Sequence, residues 1–170
     1  QAAPVEHPLH SPVLRHLAEH LHVDAAHLAG SGPGGSVTRD DIEQAASLVY
    51  QVMPATAQYA WPLLAERLAC TVWVKHENHT PTGAFKVRGG ITFMHWLKRT
   101  HPEVKGIVSA TRGNHGQSVA LAASALGLRA LIVVPQCNSP EKNNAMRGFG
   151  GDVVEHGRDF DEAREEAARL

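Results

Sequence analysis

The hydrophobic residues follow two different spacings along the chain, and the change comes near residue 61. In the first part they recur every three or four positions, which is the spacing of one buried helix face. A glycine-rich loop, GSGPGG at 30–35, separates the two stretches that show it. The spacing therefore predicts two short helices around a glycine loop. Their expected inward positions are Val13, Leu14, Leu17, Leu21, Ile42, Ala45 and Ala46.

Capping residues mark where each of these helices should begin. Ser11 is a suitable N-cap with Pro12 at the first helical position, and Thr38 with Asp41 resembles a capping box. The core of two such helices is expected to be only marginally stable alone. The predicted division is a linker at 1–10, a helical module at 11–46, a linker at 47–60 and a larger unit at 61–170.

From residue 61 onward, short apolar runs alternate with longer amphipathic segments. Strands that alternate with helices predict right-handed βαβ units and a parallel sheet. We therefore expect an α/β protein, with parallel-sheet units behind the small two-helix module. The expected strands are 71–77, 106–110, 130–135 and 152–157, and the expected helices are 85–98, 115–127, 140–150 and 160 onward.

The composition narrows the range of partners and compartments. Hydrophobic residues make up 43% of the chain and charged residues 19%, which is enough apolar material to bury a core. A net charge of −1 gives no reason to expect nucleic acid or an anionic membrane as a partner. Apolar runs such as 130–135 are too short to cross a bilayer. Cys70 and Cys137 form no C-x-x-C pair, which favours a reducing cytoplasm.

Twelve histidines raise the question of a metal site. His16 and His20 stand four residues apart, a spacing that can put two ligands on one helix face. No third ligand follows at a supporting spacing, so we expect solvent-facing histidines and no metal.

Lys86 lies in an unusual setting, ENHTPTGAFKVRGG at 77–90. A lysine must lose its proton before it attacks a carbonyl, and burial or the positive end of a helix favours the neutral amine. Lys86 stands where a helix is predicted to begin, which suits an amine nucleophile. An ordinary exposed lysine is the alternative.

A second segment, SATRGNHGQS at 109–118, follows a predicted strand and opens a predicted helix. Parallel α/β sheets gather ligands at this place. Gly113 and Gly116 allow close backbone approach, and Asn114 with the first helical amides can bind an anionic or phenolic oxygen. A plain loop with polar capping is the alternative.

Together, in order and spacing, these two segments resemble the signature segments of fold-type II pyridoxal-phosphate enzymes, closest to the threonine/serine dehydratase and serine racemase group. The resemblance continues through 130–157 and reaches back to 53–68, so it covers about 120 residues. It implies pyridoxal 5'-phosphate as cofactor and a small amino acid as substrate. Lys86 would attach the cofactor, Phe85 would lie against its ring, and Asn114 would bond the ring hydroxyl. The residues implied to hold the substrate carboxylate are Thr111, Arg112, Gly113, Asn114, His115 and Gly116.

The chain departs from that family in two places. Serine racemases carry a serine base where this chain has Arg112, which cannot act as a base at neutral pH. This favours β-elimination, which turns threonine or serine into a 2-oxo acid and ammonia. The family's glycine-rich phosphate loop has no counterpart in these 170 residues, and the chain stops inside a helical pattern without a stop signal. We therefore expect part of a longer enzyme, inactive alone and a homo-oligomer when complete.

Residues 11–46 have a resemblance of their own, to the peripheral subunit-binding domain of dihydrolipoyl acyltransferases. It implies that Arg15 docks dihydrolipoyl dehydrogenase or a 2-oxo acid decarboxylase component. Glu19 and Ser36 stand where arginines are common in that domain, which weakens an electrostatic interface. Three alternatives stay open: a helical appendage without a partner, a docking module with an inactive enzyme remnant, and a wrongly joined reading frame.

Overall fold

The computed structural model describes residues 11–23, 25 and 28–170, so the linker predicted at 1–10 lies outside the described residues. The helices are α1 (Pro12–His20), α2 (Arg39–Val52), α3 (Pro62–Leu68), α4 (Lys86–Thr100), α5 (Asn114–Ala125), α6 (Pro140–Gly148) and α7 (Phe160–Arg169). The strands are β1 (Gln58–Ala60), β2 (Trp73–Lys75), β3 (Gly106–Ala110), β4 (Arg129–Val134) and β5 (Asp152–Glu155). Short 3₁₀ turns occur at Pro33–Gly35 and Glu77–His79.

Both helices of the N-terminal module begin at the predicted caps. The Ser11 side chain accepts a hydrogen bond from the Leu14 amide, and Thr38 and Asp41 form a reciprocal capping box. Ile42 is fully buried in the module core together with Ala18. The inward position predicted for Val13 is wrong: its side chain is 65% exposed, because the buried stripe of α1 runs through Leu14, Leu17, Ala18 and Leu21 and leaves Val13 at its edge.

Helix α2 contributes to two hydrophobic cores. Its first half supplies Ile42 to the module, and its second half, with the C-cap Met53, supplies Val49 to a larger core that also contains Val87 and Ile91 of α4. The helix therefore continues into the segment predicted to be a linker, and β1 lies at the end of that segment. Helix α2 thereby packs against both parts of the chain.

The parallel sheet has the order β3-β4-β5. Gly106 pairs with Arg129 and Leu131 with Asp152, with parallel register throughout. Helices α5 and α6 connect the strands, and α7 returns to pack on β3 and β4. The interior of β4 is apolar, and its residues Ala130 and 132–134 are buried, as expected for a central parallel strand. These elements confirm the predicted α/β class.

The strand predicted at 71–77 differs from expectation. Only Trp73–Lys75 is extended, and it pairs antiparallel with β1 instead of joining the parallel sheet. The short helix α3 between the two strands was not predicted, and it is brief enough to return the chain directly. Within the described residues, no helix has the length and apolar character needed to cross a membrane.

Candidate functional site

Lys86 is the first residue of α4, as predicted. Phe85 occupies the N-cap position, and no side chain caps the helix there. The Lys86 Nζ atom lies 5.2 Å from the centroid of the Phe85 ring, and both side chains are exposed. The structure therefore supplies the helix start that suits an amine nucleophile, but it does not supply burial.

The loop before Lys86 is held by its own threonines. The Gly83 amide donates to the Thr80 carbonyl, and Gly83 adopts a left-handed φ of 65°, which glycine tolerates best. The Thr80 hydroxyl donates to the Ala84 carbonyl and accepts from the Ala84 amide, each at 2.9 Å. Thr82 also donates to that carbonyl, at 3.3 Å. The chain therefore enters α4 in a fixed direction.

The second segment forms the turn from β3 into α5. The Thr111 amide donates to the Val133 carbonyl, which extends the β3–β4 pairing by one residue. The Gly113 amide donates to the Thr111 hydroxyl at 3.2 Å. A Cβ at Gly116 would come within 2.5 Å of the Met146 sulfur and of the Thr111 methyl group, so this position requires glycine. The first amides of α5 consequently stand at the carboxyl edge of the sheet, where a ligand can reach them.

A close crossing of α4 and α5 brings the two segments together. The Ser118 hydroxyl of α5 donates to the carbonyl of Lys86 itself, at 2.7 Å. Gly90 makes this approach possible, because a Cβ there would overlap the Ser118 hydroxyl. The sequence placed these segments on the same site by resemblance alone, and the structure gives the contact that joins them.

The predicted carboxylate-binding residues differ in accessibility. Arg112, Asn114 and His115 are exposed, whereas Thr111 and Gly116 are buried. The buried Gly113 shares its turn with them. The buried residues therefore shape the turn, while the exposed side chains are accessible to a ligand. Arg15 is not part of this site, because it lies on the exposed face of α1 in the module.

The charge of Lys86 reaches His115. Partial desolvation lowers the pKa of His115, and the positive charge of Lys86 lowers it further. His115 is accordingly held in its neutral form near neutral pH, where a ring nitrogen can accept a hydrogen bond.

Sequence reasoning missed a second amine and a buried ion pair near Lys86. The Lys142 amino group of α6 lies beside Gly113, close to where a Cβ would stand. The Arg88 guanidinium, 5% exposed, binds both carboxylate oxygens of Glu77 at 2.9 and 3.0 Å. The Arg88 Nη1 atom is buried without a hydrogen-bond partner among the described residues. In the sequence, Arg88 stands out only by its position two residues after Lys86. No sequence pattern pointed to Lys142.

The histidines show no metal-binding arrangement in the part of the chain that the structure describes. His16 and His20 are exposed on α1. No three histidine, cysteine, aspartate or glutamate side chains come together as ligands among the described residues.

Comparison with known protein families gives two matches. Residues 49–170 match the family described as pyridoxal-phosphate dependent enzyme. Residues 8–43 match the family described as e3 binding domain. The two matches follow one another along the chain in the order that the sequence predicted.

Individual relatives agree with the first match. The biosynthetic L-threonine dehydratase of Haemophilus influenzae is 39% identical over 143 residues, 84% of this chain and 28% of that protein. The L-threonine ammonia-lyase of Geobacter sulfurreducens is 41% identical over 99 residues, 58% of this chain and 24% of that protein. The solved threonine deaminase isoform 2 of Solanum lycopersicum is 34% identical with a TM-score of 0.66, over 84% of this chain and 43% of that one. The chain spans about a quarter of the length of these curated relatives.

Proposed function

The chain belongs to the pyridoxal-phosphate dependent enzyme family, and from that premise we propose that it supplies the lysine and substrate-carboxylate half of a threonine/serine ammonia-lyase site. The observation that supports this most directly is the hydrogen bond from Ser118 to the Lys86 carbonyl, which brings the backbone of Lys86 against the first half of α5. The relatives named above act on threonine, and their chemistry suits the residues present here.

The side chains of Lys86, Phe85 and Asn114 suit the aldehyde and ring of the cofactor, but not its phosphate. An exposed amine at a helix start can attach an aldehyde, the Phe85 ring beside it can cover an aromatic face, and Asn114 offers an amide to a ring hydroxyl. A phosphate needs several converging donors, and the longest glycine runs in the 170 residues are pairs such as Gly89–Gly90. We propose that the phosphate is held by residues outside these 170. Pyridoxal phosphate, when bound, supplies an electron sink.

The roles of this chain's own groups follow from their positions. The Lys86 amine takes the proton from the substrate α-carbon, and the turn from Thr111 to Gly116 holds the substrate carboxylate through backbone amides and the Thr111 hydroxyl. Arg112 stands where a racemase needs a base on the opposite face, and a guanidinium cannot accept a proton at neutral pH. The expected outcome is loss of the β-hydroxyl group, with a 2-oxo acid and ammonia as products.

Product analysis tests this proposal. We expect no sustained 2-oxo acid release from residues 1–170 alone. Joined to the downstream part of the Geobacter sulfurreducens ammonia-lyase, the chain should release pyruvate from L-serine, and the same protein with Lys86→Ala should not. D-Serine as the major product, or steady turnover by the 170 residues alone, would contradict the proposal.

We propose a second role for the module at 11–46, which is docking on dihydrolipoyl dehydrogenase or a 2-oxo acid decarboxylase component. The family match at 8–43 and the pair of capped helices around a glycine loop support it. Because Glu19 and Ser36 replace common arginines, binding should be weak and salt-sensitive, and Arg15→Ala should abolish it. Tight binding that ignores this substitution would place the partner surface elsewhere.

The remaining assignments are proposals of the same kind. Cys70 and Cys137 are both free and exposed, which supports a reducing cytoplasm. We also propose a homo-oligomer for the complete enzyme. Size measurement of the joined protein tests it, and a monomer would contradict it.

A further inference from the structure

The Thr80 hydroxyl holds the backbone of Ala84, which is two residues before Lys86. Thr80 is 6% exposed, and its hydroxyl satisfies both the carbonyl and the amide of Ala84 at 2.9 Å. Removing the hydroxyl takes this partner from the Ala84 amide and leaves the Ala84 carbonyl with the longer bond from Thr82, and a buried backbone group without a partner destabilises its conformation. Ala84 therefore depends on this side chain for its orientation.

Ser118 controls Lys86 itself. Its side chain is almost fully buried between α4 and α5, and its hydroxyl donates to the Lys86 carbonyl at 2.7 Å. This carbonyl lies in the first turn of α4. The bond fixes the root of the Lys86 side chain relative to α5, although the amine at its tip is exposed.

Glu77 controls the backbone two residues after Lys86, through Arg88. The two-bond contact between the carboxylate and the guanidinium ties α4 to the chain just after β2. Thr56 donates to the same carboxylate at 2.6 Å, so Glu77 is itself fixed. A planar guanidinium that binds a carboxylate through two parallel bonds has little freedom to rotate.

We infer that Thr80, Ser118 and Glu77 are positioning residues that hold residues 84, 86 and 88 and thereby direct the Lys86 amine to an aldehyde carried by a ligand. The inference rests on the proposed role of Lys86 in attaching the cofactor. A long lysine stem gives the amine many orientations, and a fixed root restricts the volume that it can reach. Misplacement of a reacting group by about 1 Å can slow a reaction 100-fold, so these contacts affect rate as well as stability.

Lys75 provides an internal comparison. Its amino group lies 3.5 Å from the Glu77 carboxylate and donates to the Thr56 carbonyl at 3.3 Å. Burial lowers the pKa of Lys75, and the Glu77 charge opposes that change. Removing the Glu77 charge should therefore make Lys75 a better nucleophile while it weakens the hold on Lys86. Label on Lys75 should rise for the first reason and the labelling rate of Lys86 should fall for the second, so the two rates are read separately and the Lys86 rate reports positioning.

The test measures the rate at which pyridoxal 5'-phosphate and borohydride label each lysine of the 170-residue chain, at a temperature where circular dichroism shows each variant folded. Thr80→Val should slow labelling of Lys86 about tenfold, and Thr80→Ser, which keeps the hydroxyl, should restore it. Ser118→Ala should slow it as well, and Glu77→Gln should move label to Lys75. Thr100→Val is the matched control, because Thr100 bonds the Trp96 carbonyl at the far end of α4 and should change nothing.

The outcomes separate this inference from the function it rests on. If the unchanged chain is not labelled at Lys86, the proposed function fails. If Lys86 is labelled but Thr80→Val and Ser118→Ala label as fast as the unchanged chain, the positioning inference is wrong. The same holds if Thr80→Ser is as slow as Thr80→Val. Should Thr80→Val fail to fold, Ser118→Ala and Glu77→Gln decide the matter.

Discussion

Lys86 at the start of α4 and His115 at the start of α5 interact electrostatically. The pKa of His115 is lowered from its ordinary value of 6.5, first by desolvation and then by Lys86. When folding lowers the pKa of a histidine, the unfolded chain binds a proton more readily than the folded chain does. The coupling therefore lowers folding stability as the pH falls through about 6.5 and has no effect well above it.

Removing the Lys86 charge should raise the pKa of His115. We expect Lys86→Met to shift the His115 titration, followed by NMR of the ring protons, toward higher pH. The control is Lys98→Met, because Lys98 lowers the pKa of His95 and not that of His115. Lys98→Met should raise the pKa of His95 alone. An unchanged His115 titration in Lys86→Met would mean that the two helix starts do not face each other.

The close crossing of α4 and α5 depends on Gly90 and not on its neighbour Gly89. A Cβ at Gly90 would overlap the Ser118 hydroxyl, whereas a Cβ at Gly89 would meet nothing within 4 Å. Gly90→Ala should destabilise the fold by about 1–3 kcal/mol, because the helices must move apart. Gly89→Ala should stabilise it by about 0.5–1 kcal/mol, since alanine favours a helix interior. Urea unfolding measures both, and equal stability of the two variants would contradict the close crossing.

Most secondary elements could be predicted because they depend on local information. Periodicity and caps identified α1, α2 and the alternation from β3 to α7, because these signals lie within each segment of the sequence. The pairing of β2 with β1 could not be predicted, because each strand has three residues and the pairing spans the unpredicted α3. Whether Val13 is exposed depends on how α1 packs against the rest of the module. The periodicity of α1 alone does not determine that packing.

The candidate site, too, could be predicted only in part from the sequence. Lys86 and the turn at 111–116 were found because motif spacing is local to each segment. The Ser118 bond to Lys86 joins residues 32 apart, and the Arg88 pair with Glu77 joins residues 11 apart. Such pairings need the helix crossing before they can be recognised. Of the two conditions that favour a neutral amine, the helix start is present at Lys86 and burial is not, since the residue is exposed.

For the whole molecule, the most unusual surface is the apolar face formed by β1, α3 and β2. In β2, Trp73 is 62% exposed. The other exposed side chains of this face are Tyr59, Trp61, Leu63, Leu64 and Leu68. Monomeric proteins rarely leave so many large apolar side chains together in water.

This face should make the chain self-associate. We expect sedimentation velocity to show association that increases with protein concentration, and the double variant Leu63→Ser with Trp73→Ser to reduce it. Val13→Ser is the matched control, because Val13 is equally exposed but lies on the module. A monomeric chain at all concentrations, or equal loss of association in the control, would contradict a role for the face.

The assignment of Lys86 is tested most directly by finding where the cofactor aldehyde attaches. The 170-residue chain is incubated with pyridoxal 5'-phosphate, reduced with borohydride, digested and mapped by mass spectrometry. We predict that label concentrates on Lys86 and that Lys86→Met removes it without moving it elsewhere. Label that lies mainly on Lys75 or Lys98 in the unchanged chain would contradict the assignment.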